Sequence, residues 1–425
     1  MICDIANYVE GGKQSASPPQ QWLIKRHLSL ERRCGLHSIP EYCNGKSELR
    51  SPVTVRKRFV PSKTLIYVAG VILMSSACTP TPNESMLITK EIRLSPGHLT
   101  APQLIVRAAN GDYVVAGAVA GDHSPWAIRV SASGEKIWEY VEGGSGGWSD
   151  RSMPGQGFFG AVDLPSGETM LCGRKGKLAE MPFVVRIRHD GSVVEERVIT
   201  PSKPARMGVI KCVKWGDGVA VYGGFGTDLQ TFGWLAKLDF RGNLVWEKYS
   251  DAFKYGDVTE TVDGGLILVG DDIVRISANG EVVARAGLRS SDLTPGAGEA
   301  ARVRPISLSS KVRLAYMVTT YKTEVADFDE QLRGPLHVWK LENAGVKKAV
   351  EFADGSVAVF GSQFLNGATA SVARLYTNGN SRGFLVQPSH QSGWFSDAVS
   401  SGSDKEFATV RQVNGGAVLA WVSFK

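Results

Sequence analysis

The chain has 425 residues, 43% of them hydrophobic and 21% charged, with 48 glycines against 19 prolines. This is ordinary globular composition, and its 16 Phe, 11 Tyr and 10 Trp lean toward a turn-rich β protein. The formal charge of +6 would suit a polyanion binder, but residues 1–77 alone carry 11 basic and 5 acidic side chains. Everything after them is neutral and lacks the electrostatic footprint of nucleic-acid binding.

Residues 1–52 are polar and show no hydrophobic period. A signal peptide starts only a few residues before its basic cluster, so translation is expected to begin near Val53 or Val55, with 1–52 outside the physiological product. Residues 53–77 read as that signal: Arg56-Lys57-Arg58 and Lys63 precede the apolar run Thr64–Met74, and Ser75-Ser76-Ala77 follow. The run is too short to span a bilayer comfortably. Cys78 comes directly after the small residues, which resembles the lipobox of bacterial lipoproteins, although Ser75 stands where that motif usually has Leu. The resemblance implies cleavage before Cys78, acylation of its thiol by palmitate or a similar chain, and a lipid-anchored linker over 78–84. Thr79, in place of the Asp associated with inner-membrane retention, points to the periplasmic side of the outer membrane.

Residues 85–425 carry the repeat. Met86–Leu94 reads as a strand without a neighbour in sequence. After it, one unit, GWLAKLDFRGNLVWEK at Gly233–Lys248, recurs from Pro125, Pro182, Asp272, Leu336 and Ser371. In each copy a basic residue stands five positions before a glycine: Arg129 and Gly134, Arg186 and Gly191, Lys237 and Gly242, Arg275 and Gly280, Lys340 and Gly345, Arg374 and Gly379. Alternating apolar positions around such a turn predict a hairpin.

A second hairpin precedes each copy, on turns at Asn110-Gly111, Ser166-Gly167, Gly216-Asp217, Asp263-Gly264, Ser309-Ser310 and Asp354-Gly355, and a last one is read at Asn414-Gly415. The mean spacing is about 51 residues, the scale of a four-stranded propeller blade. The reading is therefore all-β: a seven-bladed β-propeller closed by strands from both termini, with Met86–Leu94 completing the last blade and blade one starting near Ala101. The repeat resembles the PQQ-type and WD-like repeats of bacterial propellers, and in plan the propeller lipoproteins of outer-membrane assembly machinery. The resemblance implies architecture and carries no activity with it.

The candidates for chemistry are few. The six basic residues of the repeat suit either a cationic ring or, more simply, ion pairs with acids such as Asp112, Glu168, Asp263 and Asp354. Gly143-Gly144-Ser145-Gly146-Gly147 matches the G-x-S-x-G pattern without its strand-to-helix context. His98, His123, His189, His337 and His390 are scattered, and Asp327, Asp329 and Glu330 lack the rest of a calcium loop. No catalytic residue, metal or cofactor is assigned. Cys172 and Cys212 could form a disulfide in an oxidising compartment or remain two buried thiols; spacing alone does not decide.

Antiparallel blades put the tight glycine turns on one end of the ring and the longer connections on the other. Long connections are read at 142–157, 287–301, 320–335 and 386–397. They offer Trp148, Tyr321, Phe328, Trp394 and Phe395 as contact anchors, unless the aromatics tuck back onto the blades. The sequence thus predicts a monomeric, non-enzymatic scaffold or inhibitor, possible also as an immunity-type lipoprotein, that binds a protein partner through this end. A channel-using enzyme or small-ligand binder is the alternative, and carboxylates facing the channel would favour it.

Overall fold

The computed structural model describes residues 85–94, 100–119, 124–142, 157–175, 181–203, 206–226, 231–250, 257–269, 272–287, 303–307, 312–319, 322–342, 346, 348–363, 369–377, 379–385, 394–403, 405–413 and 416–425. Strands β1 to β28 are arranged as seven four-stranded antiparallel sheets, and no helix occurs among the described residues.

Strand β1 (Met86–Arg93) stands apart in sequence. Blade one is β2 (Thr100–Arg107), β3 (Tyr113–Val119), β4 (Pro125–Val130) and β5 (Lys136–Val141); blade two is β6 (Gly157–Asp163), β7 (Thr169–Lys175), β8 (Met181–Ile187) and β9 (Val193–Val198). Blade three is β10 (Arg206–Trp215), β11 (Gly218–Gly226), β12 (Thr231–Asp239) and β13 (Leu244–Ser250). Blade four is β14 (Asp257–Glu260), β15 (Leu266–Val269), β16 (Asp272–Ile276) and β17 (Val282–Gly287). Blade five is β18 (Val303–Ser307), β19 (Val312–Thr319), β20 (Lys322–Phe328) and β21 (His337–Glu342). Blade six is β22 (Lys348–Glu351), β23 (Val357–Gln363), β24 (Thr369–Leu375) and β25 (Ser381–Leu385). Blade seven combines β26 (Trp394–Ser400), β27 (Glu406–Val413) and β28 (Gly416–Phe424) with β1 as its outer strand. The first strand of each blade touches the first strand of the next, and blade seven returns to blade one.

The hairpins form where the sequence places a residue able to take positive φ. At Ala108–Asp112 the Ala108 N–H donates to the Asp112 carbonyl (2.8 Å) and the Gly111 N–H to the Ala108 carbonyl (2.9 Å), with Gly111 at φ 90°. Ser131–Glu135 repeats this geometry around Gly134, so both hairpins of a blade turn in the same way at the same end.

Alternation along the strands then sends successive side chains to opposite neighbours. Leu104, Val114 and Ala116 pack on Phe158 and Phe183 of blade two, whereas Tyr113 and Val115 pack on Val410 and Trp421 of blade seven. Seven such clusters fill the seven interfaces between blades. Each fully buried Val, Leu, Ile or Phe contributes about 1.5–3 kcal/mol, so the ring is held mainly by its inter-blade cores.

Two details of the repeat differ from the sequence reading. Lys340–Gly345 is not a hairpin of the repeat: Lys340 lies on β21, the outer strand of blade five, and β22 of blade six follows. The real outer hairpin of blade five joins β20 to β21 through a longer turn, in which Leu332 (φ 57°) as well as Gly334 (φ 139°) has positive φ. In blade seven the first turn is at Ser401-Gly402 (φ 89°), and Asn414-Gly415 falls between the second and third strands. The C-terminus therefore supplies three strands and the N-terminal segment supplies one.

Candidate functional site

Five of the six basic residues of the repeat, all but Lys340, stand on the third strand of their blades, one pair from the tight-turn end. Arg129 donates to Asp112 at 3.0 Å, and Arg186–Glu168 (3.1 Å), Lys237–Asp217 (2.6 Å), Arg275–Asp263 (2.6 Å) and Arg374–Asp354 (3.2 Å) repeat the arrangement. Arg129 is 2% exposed and also reaches Thr169 of blade two at 3.2 Å, so it ties two blades together. Blade five inverts the pair. Arg313 on the second strand makes two bonds to Asp327 on the third, at 2.6 and 3.0 Å. These cations hold turns and neighbouring blades, and they do not form a ring open to an anionic ligand.

A different ring lies on the innermost strands. Leu104, Gly160, Lys211, Asp257, Arg304, Lys348 and Asp397 pair at one equivalent level with Ala116, Cys172, Tyr222, Val269, Ala315, Phe360 and Val410 of their second strands. A register shift comes immediately before Leu104, Gly160, Lys211 and Asp397, and such bulges re-aim the side chains that follow. Five consecutive blades thus present a charged residue at this level, and the two remaining positions are Leu and Gly.

The side chains described within this ring are joined from blade to blade. Lys211 of blade three meets Asp257 of blade four at 2.7 Å, and Lys348 of blade six meets Asp397 of blade seven at 3.3 Å. The Asp397 carboxylate also accepts the Ile105 N–H of blade one at 3.0 Å. Burial holds the Lys211 ammonium below its ordinary pKa and the charge of Lys348 pushes the same way, while Asp257 and Asp397 oppose both. That interaction connects blades three, four, six and seven around the channel.

Local packing fixes the level of Lys211. Its neighbour Cys212 is joined to Cys172 of blade two by a disulfide, with Cα atoms 6.2 Å apart. A Cβ at Gly160 would come within 2.3 Å of the Cys212 nitrogen, so the approach of β6 to β10 requires glycine there.

The aromatic anchors fare differently. Phe328 is a strand residue of β20, 6% exposed, packed with Leu314 and Ile273 between blades four and five. Phe395 is 2% exposed and meets Phe360 edge-on at 5.9 Å in the core between blades six and seven. Neither is a contact anchor, because the segments read as loops at 320–335 and 386–397 contain β20 and the start of β26. Trp394 begins β26. Trp148 and Tyr321 lie outside the described residues, as do Cys78, the linker, the G-x-S-x-G segment, His98, His123 and His390.

Of the acidic cluster, Asp327 serves Arg313, and Asp329 accepts the Gln331 and Arg333 N–H groups at 3.0 and 2.7 Å, shaping the turn. Among the described residues no group of three His, Cys, Asp or Glu is placed to hold a metal ion.

The ring was missed in the sequence, although a signal exists. Leu104, Gly160, Asp257 and Lys348 each stand seven positions before a turn glycine, at Gly111, Gly167, Gly264 and Gly355. Extending the repeat backward from its turns lines these positions up.

The chain matches no known protein family and no curated protein. Solved structures similar to it include a protein of unknown function from Bacteroides caccae, at 10% identity over 60% of this chain and 81% of that one (TM-score 0.33). Others are the hydrazine synthase of Kuenenia stuttgartiensis (13%, 64% and 80%, TM-score 0.45) and the PQQ-bound aldose sugar dehydrogenase of Streptomyces coelicolor (12%, 63% and 94%, TM-score 0.38). Likeness at this level does not bear on activity.

Proposed function

We propose that the protein is a lipid-anchored, non-enzymatic propeller of the bacterial envelope that binds a small ligand in its central channel. The observation that carries this reading is the level of charged residues contributed by five consecutive inner strands, where Lys211, Asp257, Lys348 and Asp397 interact from four different blades. Charges placed at a shared level by a repeat make a small polar site of the kind a ring of blades builds on its axis. This reading is preferred to the loop-borne aromatic surface, which loses two of its five anchors because Phe328 and Phe395 are core residues. Binding is favoured over catalysis because each of the two carboxylates is held by a lysine, leaving neither poised as a free base.

The anchor is part of the proposal. The basic, apolar and small segments before Cys78 support lipidation there and an outer-membrane location facing the periplasm. Six residues separate Cys78 from Ser85, and the Ser85 N–H and carbonyl pair with Lys425 at the tight-turn end of blade seven. Such a linker spans at most about 20 Å, which would hold the tight-turn end toward the membrane.

Two measurements test the reading. Palmitate labelling should mark the wild type and not Cys78→Ser, and equal labelling would remove the anchor. Native mass spectrometry of the detergent-solubilised mature protein should find a small molecule retained by the wild type and lost in Lys348→Met. Retention of that molecule by both proteins would place the ligand elsewhere.

A further inference from the structure

We propose that Lys211 and Lys348 form a seat for a small oxyanion, the carboxylate or phosphate group of a ligand, on the axis of the ring. This rests on the reading of the channel as the ligand site and adds the chemistry that the site selects.

The two ion pairs are asymmetric in the same sense. The side chains of Asp257 and Asp397 are 7% and 12% exposed, whereas those of Lys211 and Lys348 are 25% and 24% exposed. In each pair the aspartate side chain is the more buried member and the lysine side chain the more exposed one. Asp397 also divides its acceptor capacity between Lys348 and the Ile105 N–H. A ligand approaching either pair therefore reaches the lysine side chain before the carboxylate.

Those cations are coupled. The charge of Lys348 acts unfavourably on Lys211 across the ring, in addition to the cost of burying Lys211 itself. An anion placed between them relieves both terms at once, and charge-assisted hydrogen bonds from two ammonium groups are the stronger class of such bonds.

The register adds to this bias. The backbone of blade five pairs at the same level, at Arg304, between Asp257 and Lys348. Leu104 and Gly160 complete the level without a further carboxylate.

The proton balance has a definite sign. A bound anion raises the pKa of Lys211 toward or above its ordinary value, so binding takes up a proton wherever Lys211 is partly neutral in the free protein. Affinity then falls as pH rises through the lowered pKa of Lys211. The charged groups acting on Lys211 are Asp257, Lys348 and Asp397.

The experiment is calorimetric titration of the detergent-solubilised mature protein with sodium acetate and, separately, with inorganic phosphate at constant ionic strength. Saturable one-site binding of at least one anion is expected, weakened about tenfold or more in Lys211→Met and in Lys348→Met. Lys211→Arg should keep most of the affinity, and Lys237→Met, on the outer ion pair with Asp217, should keep all of it. Preference for phosphate would identify a phosphoryl ligand, and preference for acetate a carboxylate.

Titration of the wild type in two buffers of different ionisation enthalpy should show proton uptake on binding, a readout that does not depend on any variant folding. No saturable binding of either anion, or equal affinity in both lysine-to-methionine variants, overturns the proposal. If the anions fail while a co-purifying molecule is still lost in Lys348→Met, the seat is wrong and the channel reading stands. If that molecule is retained as well, both fall.

Discussion

Thr89 and Trp421 are 332 residues apart in the chain, and the Thr89 hydroxyl donates to the Trp421 carbonyl at 3.2 Å. This bond is one point on the seam between β1 and β28, which runs from Met86 opposite Phe424 to Arg93 opposite Val418. Met86 and Ile88 pack on the core between blades six and seven, and Ile92 on the core between blades seven and one. Without β1 the third strand of blade seven would present an unpaired edge and three uncovered apolar contacts.

Deleting Met86–Arg93 is therefore expected to lower the stability of the whole ring by several kcal/mol, at about 1–3 kcal/mol for each apolar side chain in addition to the lost pairing. Thermal melting of the mature protein and of the deletion checks this. An unchanged melting temperature would mean that the ring does not depend on closure by both ends of the chain.

The turns were legible because their physics is local: glycines at positive φ, flanked by alternating apolar residues, announce hairpins wherever they occur. Blade five hid its own pattern. Its pair is reversed, with Arg313 on the second strand and Asp327 on the third, and its outer turn puts Leu332 where other blades have Gly. Lys340 and Gly345 offered the expected spacing by coincidence, one strand too late. Phe395 was misjudged because a single aromatic among Gly, Trp and Ser has no period from which burial could be read. The charged ring was illegible as a site because its members stand about a blade apart in sequence and only the closed ring unites them.

The reversed pair should be sensitive to removal of one partner. Asp327→Ala leaves the Arg313 guanidinium, 20% exposed, with Glu351 at 3.6 Å and the Gly355 carbonyl at 3.2 Å, and is expected to cost about 3 kcal/mol. Exchanging the two residues, with Arg313→Asp and Asp327→Arg together, keeps the pair and should recover much of that loss in chemical denaturation. A double variant no more stable than Asp327→Ala would show that orientation, and not only pairing, matters at this position.

Glu351 gives the same region a pH dependence. Burial raises its pKa to about 7, Arg313 opposes the shift, and Asp327 and Asp354 add to it. A carboxyl whose folded pKa lies above its unfolded value favours the native state when protonated. Its contribution to stability is present below the unfolded pKa of about 4.3 and is lost as pH rises toward about 7. Denaturation curves should show this decline in the wild type and a smaller one in Glu351→Gln. Identical pH profiles would remove Glu351 as its source.

The disulfide between Cys172 and Cys212 closes a sequence separation of 40 residues and links the second strand of blade two to the first strand of blade three. A loop of that length corresponds to about 4 kcal/mol in the chain-entropy account. Protein denatured without reductant should show neither of these two cysteines as a free thiol, and Cys172→Ser with Cys212→Ser should melt markedly lower. Two free thiols at these positions in protein isolated from an oxidising compartment would contradict the link.

The central claim, that the axis of this propeller is a binding site built from inner-strand charges, is tested most directly by the position of an anion. Crystals of the mature protein soaked in bromide, measured for anomalous scattering, should show a peak inside the ring in contact with Lys211 and Lys348, and none there in Lys348→Met. Bromide found only on the outer surface of the blades, with no anomalous signal at the level of Lys211, Asp257, Lys348 and Asp397, would contradict it.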